Sequence, residues 1–145
     1  LLTPKFMSDI WSSPTVSHLQ EELYQYLRAI ILKSIERRKQ GKHALVEQAK
    51  QLIQEQYMNH ITLESLANAV YLSPAYLSFL YKQEEGININ EYLIQVRLDQ
   101  AKALLKETGL KTYEISNRVG YTDEKYFSRL FKKRTGMTPT EYRNL

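Results

Sequence analysis

The chain of 145 residues, 43% hydrophobic and 25% charged, has room for one compact domain with an appendage but not for two full-sized domains. With only 5 Gly and 4 Pro it lacks the turn residues of a many-stranded sandwich or barrel, and without Cys it cannot form disulfides, a thiolate metal site or a cysteine nucleophile. The net charge of +4 is a weak indication of a polyanionic partner, but residues 111–145 hold eight basic and four acidic residues, which makes them the basic part of the chain.

The N-terminal residues predict a linker. Residues 1–16 show no sustained periodicity, although Phe6 and Trp11 are apolar enough to dock on a neighbouring surface. The chain starts with Leu-Leu-Thr-Pro and no initiator Met, so we expect a sensor or receiver domain to precede it. Its apolar runs are too short to span a bilayer and it shows no leader peptide, from which we expect a cytoplasmic protein without membrane contacts.

An amphipathic helix is predicted after the linker. Apolar residues recur at spacings of three and four as far as Ile35, basic residues follow, and Gly41 gives a stop signal. This apolar stripe either packs on the rest of the chain or serves as a dimerising helix or signalling stalk, and two heptads are too few to decide. Its members are Leu19, Leu23, Tyr26, Leu27, Ile30, Ile31 and Ile35.

The remainder of the chain is predicted to be helical throughout, which makes the fold all-α. Thr62, Ser73, Asn88 and Thr112 are the expected N-caps of four helices, because each precedes an apolar pattern with helical period. Gly109 is the expected stop of the longest one. The predicted helices span about 45–57, 63–70, 74–83, 88–107, 112–118, 123–134 and a short segment from Thr138-Pro139 onward.

A sequence repeat organises this helical region. Tyr76-Leu-Ser-Phe-Leu-Tyr-Lys82 and Tyr126-Phe-Ser-Arg-Leu-Phe-Lys132 stand 50 residues apart and agree at four of seven positions. The preceding segments match at an offset of 49, which places one extra residue around Asp123 in the second copy. Each copy reads as a short helix, a tight turn and a longer helix, the layout of a helix-turn-helix whose second helix enters the major groove. Plain helical hairpins share this layout and remain an alternative.

The outward face of the longer helix in the second copy favours DNA. Its apolar residues Phe127, Leu130 and Phe131 predict one buried stripe, and a row of hydrogen-bond donors is left on the opposite face. Arg129 has the chemistry to read guanine through two hydrogen bonds, and the lysines to bind phosphates. A solvated cationic face without a partner is the alternative. The outward residues are Lys125, Ser128, Arg129 and Lys132, followed by Lys133.

A long segment of the second copy carries a family signature. Val119-Gly-Tyr-Thr-Asp-Glu-Lys-Tyr-Phe-Ser-Arg-Leu-Phe-Lys-Lys-Arg-Thr-Gly-Met-Thr-Pro-Thr-Glu-Tyr-Arg143 resembles the signature of the AraC/XylS family of bacterial transcription regulators. The resemblance covers about residues 44–145 and leaves residues 1–43 as linker and amphipathic helix. Within it lie the two helix-turn-helix units, about 62–84 and 112–134, and the connecting helix, about 88–107, with Tyr92 and Arg97.

The resemblance implies a function and a set of contacts. Two recognition helices, about 74–83 and 123–134, would enter successive major grooves of double-stranded DNA, and RNA polymerase, an upstream domain and a second copy of the chain are the further expected partners. Activation and repression both stay open. By motif position the base contacts fall on Ala75, Ser78, Phe79, Glu124, Lys125 and Arg129. The expected phosphate contacts are Thr62, Ser73, Tyr76, Lys82, Lys111, Thr112, Ser128, Lys132 and Lys133.

The first unit departs from the family pattern. Phe79 stands where the family commonly carries Arg or Lys, and neither Ala75 nor Ser78 supplies a long donor, so this unit is expected to read bases weakly. Phe79 either meets a thymine methyl group or is covered by a partner or by the first helix, and the buried role is favoured. The turn of this unit has Tyr71 where the second has Gly120, so the backbone there either avoids positive φ or is strained.

Other functions have less support. No nucleophile with its base, paired carboxylates, phosphate loop or metal cluster is recognisable, and His18, His43 and His60 are scattered, so we expect no catalysis, cofactor or metal. A helical protein-interaction module using the stripe at 19–35 and Phe79 is the remaining alternative, but it does not explain the cationic row. Stacking on single-stranded bases is disfavoured because five tyrosines fall near predicted core faces, namely Tyr76, Tyr81, Tyr92, Tyr126 and Tyr142.

Overall fold

The computed structural model describes residues 16–145, and their side chains from residue 18 on. The linker predicted for residues 1–16, with Phe6 and Trp11, lies outside this description except for its last residue. The described residues form helices and no strand, as the composition predicted. The helices are α1 (Val16–Gln56), α2 (Leu63–Ala69), α3 (Pro74–Glu85), α4 (Ile89–Glu107), α5 (Thr112–Arg118), α6 (Glu124–Thr135) and α7 (Pro139–Arg143).

The chain divides into two compact segments, the N-terminal segment Leu1–His43 and the C-terminal segment Ala44–Leu145. In the N-terminal segment five members of the apolar stripe expose between 45% and 57% of their surface, namely Leu23, Leu27, Ile30, Ile31 and Ile35, whereas Leu19 and Tyr26 are half-buried. In the described part of the chain no helix combines the length and apolarity required to cross a membrane.

The stop predicted at Gly41 is wrong, because α1 continues through it to Gln56 and absorbs the separate helix predicted from about residue 45. Gly41 has no positive φ and no neighbour that would meet a Cβ. A glycine inside a helix costs only about 1 kcal/mol relative to alanine, and good helix formers such as Lys42, Ala44 and Leu45 follow it. Continuing the helix is cheaper than nucleating a new one.

The capping residues set most helix boundaries as the sequence predicted. Thr62, Ser73 and Asn88 each accept a hydrogen bond from a backbone N–H in the first turn of the helix that follows. The predicted ends of these helices agree with the structure to within two residues. The caps expected at Thr112 and Gly109 are wrong.

The corrections at both ends of the α4–α5 connection have local causes. The carboxylate of Glu114 accepts the Lys111 backbone N–H at 2.7 Å, so Lys111 is the N-cap and Thr112 is already helical. α4 ends at Glu107 with extended Thr108 as its C-cap, and the Thr108 hydroxyl donates to the Leu104 carbonyl at 2.6 Å. Gly109 then lies outside the helix, without the positive φ of a glycine cap.

Two hydrophobic cores within the C-terminal segment share α4. The first joins the end of α1 with α2, α3 and the first half of α4, and the second joins the rest of α4 with α5, α6 and α7. Tyr57 packs against both. Because each core holds one helix-turn-helix, α4 connects the two helix-turn-helix units as predicted. The largest fully buried side chains are Tyr81, Leu77, Leu80 and Ile53 in the first core and Phe127, Phe131, Leu98, Leu105 and Ile115 in the second.

Candidate nucleic-acid interface

Helix α6 is fixed at both ends and along its inner face. The Asp123 carboxylate accepts the Tyr126 N–H at 3.0 Å, and Gly136, with φ of 81°, ends the helix by donating to the Lys132 carbonyl at 2.8 Å. Phe127 and Phe131 are fully buried, with ring centroids 5.7 Å apart. The core therefore determines which side of α6 faces outward.

The outward side of α6 carries the cationic row that the sequence predicted. Glu124, Lys125, Ser128 and Arg129 line one surface groove, so the structure brings together the residues expected to read bases in this unit. The Arg129 Nε lies 3.4 Å from the Lys125 carbonyl, a long hydrogen bond that leaves the guanidinium able to reorient. The exposed basic residues of this row are Lys125, Arg129, Lys132 and Lys133, while Ser128 is half-buried. Arg134 lies on another side of α6 and forms an ion pair with Glu91 of α4 at 3.8 Å.

Helix α3 repeats this construction with a different outward face. Leu77, Leu80 and Tyr81 are fully buried, and the Ser73 hydroxyl accepts the Tyr76 N–H at 3.3 Å. Phe79 lies on the opposite side and is 61% exposed, so it is not part of the core formed by residues 44–145, and its coverage by a partner stays a prediction. The inner face of α3 is already filled, which leaves no place in the core for a further ring. Ala75 is likewise exposed and Ser78 is half-buried.

The two recognition helices differ strongly in charge. α3 has one basic residue, Lys82, and two acidic ones, Glu84 and Glu85, for a net charge of −1. α6 has five basic residues and one acidic residue, Glu124, for a net charge of +4. Of the two recognition helices, α6 therefore carries the charge that attracts a polyanion.

The residues expected to contact phosphates are mostly exposed. Thr62 doubles as the N-cap of α2 and lines the same cavity as Ser78, which places it beside the first recognition helix. Lys111 and Thr112 stand at the start of α5. Thr112 and Ser128 are half-buried. The exposed members are Thr62, Ser73, Tyr76, Lys82, Lys111, Lys132 and Lys133.

Two of the five tyrosines assigned to core packing are not core residues. Tyr76 is 41% exposed and Tyr126 is 48% exposed. Both residues lie in the first turn of a recognition helix, on the side that faces solvent. Tyr81 is fully buried, and Tyr92 and Tyr142 are half-buried, as expected of packing residues. The first turns of α3 and α6 thus present an exposed phenol next to the residues expected to contact DNA.

The tight turns of the two units have the same backbone geometry. Tyr71 has φ of 57° and Gly120 φ of 88°, and their N–H groups donate to the carbonyls of Asn68 and Asn117 at 3.2 and 3.1 Å. In both turns the next N–H donates to the carbonyl five positions earlier, at 2.9 and 2.8 Å. Tyr71 is 94% exposed. Of the two possibilities raised by the sequence, the strained backbone is the one observed.

The correspondence between the two helix-turn-helix units extends beyond residues 66–82 and 115–132. Asn88 and Thr138, 50 residues apart, are both N-caps that accept from a glutamate N–H three positions on. The ring pairs Tyr81–Tyr92 and Phe131–Tyr142 also correspond, with centroids 5.9 and 5.5 Å apart. The start of α4 therefore serves the first unit as α7 serves the second. Continuing the comparison at the same offset reveals this correspondence.

Comparisons with known proteins agree with this architecture. A family model described as a helix-turn-helix domain matches residues 66–145. The HTH-type transcriptional regulator YijO of Escherichia coli is 46% identical over 100 residues, which cover 69% of this chain and 35% of that protein. The chain spans about a third of the length of that relative and of the arabinose operon regulatory proteins that it also matches.

Solved structures show the same fold. The C-terminal domain of AraT, a response regulator from Geobacillus stearothermophilus, is 42% identical with a TM-score of 0.67, over 69% of this chain and 84% of that one. A regulator with an AraC-type DNA-binding domain from Chromobacterium violaceum is 25% identical with a TM-score of 0.67, over 72% and 93% of the two chains.

The paired units, the shared helix α4 and the cationic face of α6 define a double helix-turn-helix DNA-binding domain. The chain belongs to the AraC/XylS family of transcription regulators.

Proposed function

We propose that the chain recognises a specific double-stranded DNA site with α3 and α6 in successive major grooves, and that α6 supplies most of the electrostatic affinity. The observation that carries this proposal is the exposed row of four basic side chains on α6, Lys125, Arg129, Lys132 and Lys133, held outward by the buried Phe127 and Phe131. Arg129 reads a base, Lys125 contacts a base or a phosphate, and Lys132 and Lys133 bind phosphates.

The whole protein regulates transcription in the bacterial cytoplasm through this domain. RNA polymerase and an upstream sensor or receiver domain are its further partners. The chain acts by binding and not by catalysis. Glu124 completes the base-reading set of the second unit, because a carboxylate beside Lys125 and Arg129 orients their donors and accepts from a cytosine amino group.

Selection of bound duplexes from a randomised pool, at about 0.15 M salt, tests the proposal. We expect an enriched motif with two blocks about 10 base pairs apart, because successive major grooves on one side of the duplex recur at that spacing. A single block would leave α6 as the sole reader. The absence of enrichment by a chain with an intact helical circular dichroism spectrum would contradict the proposal.

A protein-binding role for α1 is a second candidate, favoured by its exposed stripe. Leu27 is 49% and Ile31 56% exposed, although both are large apolar residues one helical turn apart. We propose that the occupant is the same stripe of a second copy, so that the regulator is a homodimer. Sedimentation equilibrium should show a concentration-dependent mass that Ile31→Glu abolishes. A monomeric mass at every concentration would rule out self-association of the chain.

A further inference from the structure

An exposed apolar patch lies on α3 where α6 carries its charged readers. The repeat aligns Ala75 with Lys125 and Phe79 with Arg129. Both Ala75 and Phe79 are exposed, and they stand four residues apart on one face of α3. This recognition helix therefore presents apolar groups where the other presents cations.

The patch has no structural role in the first unit. The core side of α3 is filled by Leu77, Leu80 and Tyr81, all fully buried, so the fold does not require a ring at position 79. Removing the 61% exposed Phe79 ring from water is favourable, so an apolar surface that covers it in a complex is stabilised by the contact.

The major groove offers one apolar group on its base edges, the C5 methyl of thymine. Guanine is read by a long donor such as Arg, and α3 has none on this patch, because its one basic residue, Lys82, lies where Lys132 lies in α6. Ser78, half-buried between Ala75 and Phe79, adds one hydroxyl that can meet any base. The chemistry of this face thus fits thymine and does not fit guanine.

We propose that the first unit reads thymine by its methyl groups, with Phe79 as the main contact and Ala75 beside it. This inference rests on the proposed function, since it places α3 in a major groove. It makes Phe79 a determinant of base specificity in the half-site bound by α3. Recognition there depends on apolar contact, while the half-site bound by α6 is recognised through charge and hydrogen bonds.

Replacing thymine by deoxyuridine tests the proposal, because the substitution removes the methyl group and keeps the base pair. Starting from the selected duplex, each thymine of each block is replaced in turn and Kd is measured at fixed salt. We expect at least one replacement in the block bound by α3 to weaken binding about 3- to 5-fold, the effect of one methyl group. Unchanged Kd for every replacement in that block, or a block without thymine, would overturn the proposal.

Variants assign the effect to Phe79. Phe79→Ala should bind the thymine duplex more weakly and bind the thymine and deoxyuridine duplexes equally, whereas Phe79→Leu should keep part of the difference. Tyr24→Ala, at a residue 60% exposed on α1, is the control and should leave the difference intact. A full deoxyuridine effect in Phe79→Ala would remove Phe79 from the assignment.

The two hypotheses fail in different ways. If no motif is enriched in the initial selection, the proposed function fails and this inference fails with it. If a motif is enriched but its binding is insensitive to deoxyuridine, the chain still recognises DNA and only the reading of thymine is refuted. Because Phe79 is exposed, its variants should retain the wild-type urea unfolding midpoint, which separates a binding effect from loss of the fold.

Discussion

The guanidinium of Arg97 lies over the ring of Tyr121, with 5.0 Å between Cζ and the ring centroid. The same side chain donates to the carbonyls of Tyr57 and Asn59 at 2.9 and 3.0 Å. One residue of α4 thus ties the segment that follows α1 to the turn of the second helix-turn-helix. Burial raises the pKa of the Tyr121 phenol, so the ring stays neutral and Arg97 meets an aromatic face and not a phenolate.

Arg97→Ala should lower the free energy of unfolding by about 1 to 3 kcal/mol, because it leaves two carbonyls without their donor and removes the contact with Tyr121. Urea unfolding followed by circular dichroism measures the change. The control is Lys102→Ala, which breaks only an exposed ion pair with Asp99 on the same helix and should cost no more than about 1 kcal/mol. Equal losses for the two variants would show that the Arg97 contacts contribute no more than a surface pair.

Gly120→Ala should destabilise the chain by about 2 to 4 kcal/mol, because it adds a Cβ at φ of 88° and because that Cβ would lie 2.8 Å from an Arg97 nitrogen and 2.9 Å from the Tyr57 carbonyl oxygen. Gly136→Ala separates the two effects. It has a similar φ of 81° and no atom within 4 Å, so it should cost only about 1 kcal/mol in the same urea assay. A Gly120→Ala cost no larger than that of Gly136→Ala would show that the close approach is relieved without strain.

Tyr71→Gly should stabilise the first unit. An L-residue with φ of 57° costs about 1 to 2 kcal/mol, and the nearly full exposure of Tyr71 means that little packing is lost with the ring. The greater freedom of glycine in the unfolded chain offsets part of the gain, so we expect a rise of about 0.5 to 1 kcal/mol. Tyr113→Gly, within α5, should instead lower the stability. A loss in Tyr71→Gly would show that the turn is not strained by its side chain.

Local signals were sufficient to predict most of the fold and the orientation of α6. Caps such as Thr62 and Ser73 act within four residues, and the inward Phe127 and Phe131 follow from helical period, so a single sequence contains this information. The helix end predicted at Gly41 was wrong because the helix formers on both sides of this glycine outweigh its local stop signal. Phe79 stays outside this core because Leu77, Leu80 and Tyr81 already fill the inner face of α3, and an apolar residue is not necessarily a buried one.

The contacts of Arg97 could not be predicted from the sequence. Its partner Tyr57 lies 40 positions away, and the pairing depends on how the segment after α1 meets α4 in three dimensions. No spacing rule connects residues so far apart. Backbone strain at Tyr71, in contrast, could be raised as a possibility from the sequence alone, because the repeat aligns this tyrosine with a glycine.

Arg129→Ala should weaken binding to the selected duplex by about 1 to 3 kcal/mol and relax the base preference at one position of the block bound by α6. The reason is that its exposed guanidinium lies in the groove with Glu124, Lys125 and Ser128 and has only a long hydrogen bond to the protein. Repeating the selection with the variant measures the preference. Equal loss on the selected and on random duplexes would refute a base-reading role and make Arg129 a phosphate contact.

Lys132→Ala should weaken binding to all duplexes alike. Its side chain is exposed one turn beyond Arg129. The Lys132 carbonyl accepts the N–H of the helix cap Gly136, and this backbone contact is unaffected by the substitution, so the helix end stays intact. A lost phosphate contact reduces the number of counterions released, and the slope of log K against log salt should become shallower by about 1. Titrations of the selected and a random duplex between 0.05 and about 0.3 M salt measure both effects. An unchanged slope combined with a loss confined to the selected duplex would reverse the roles assigned to Lys132 and Arg129.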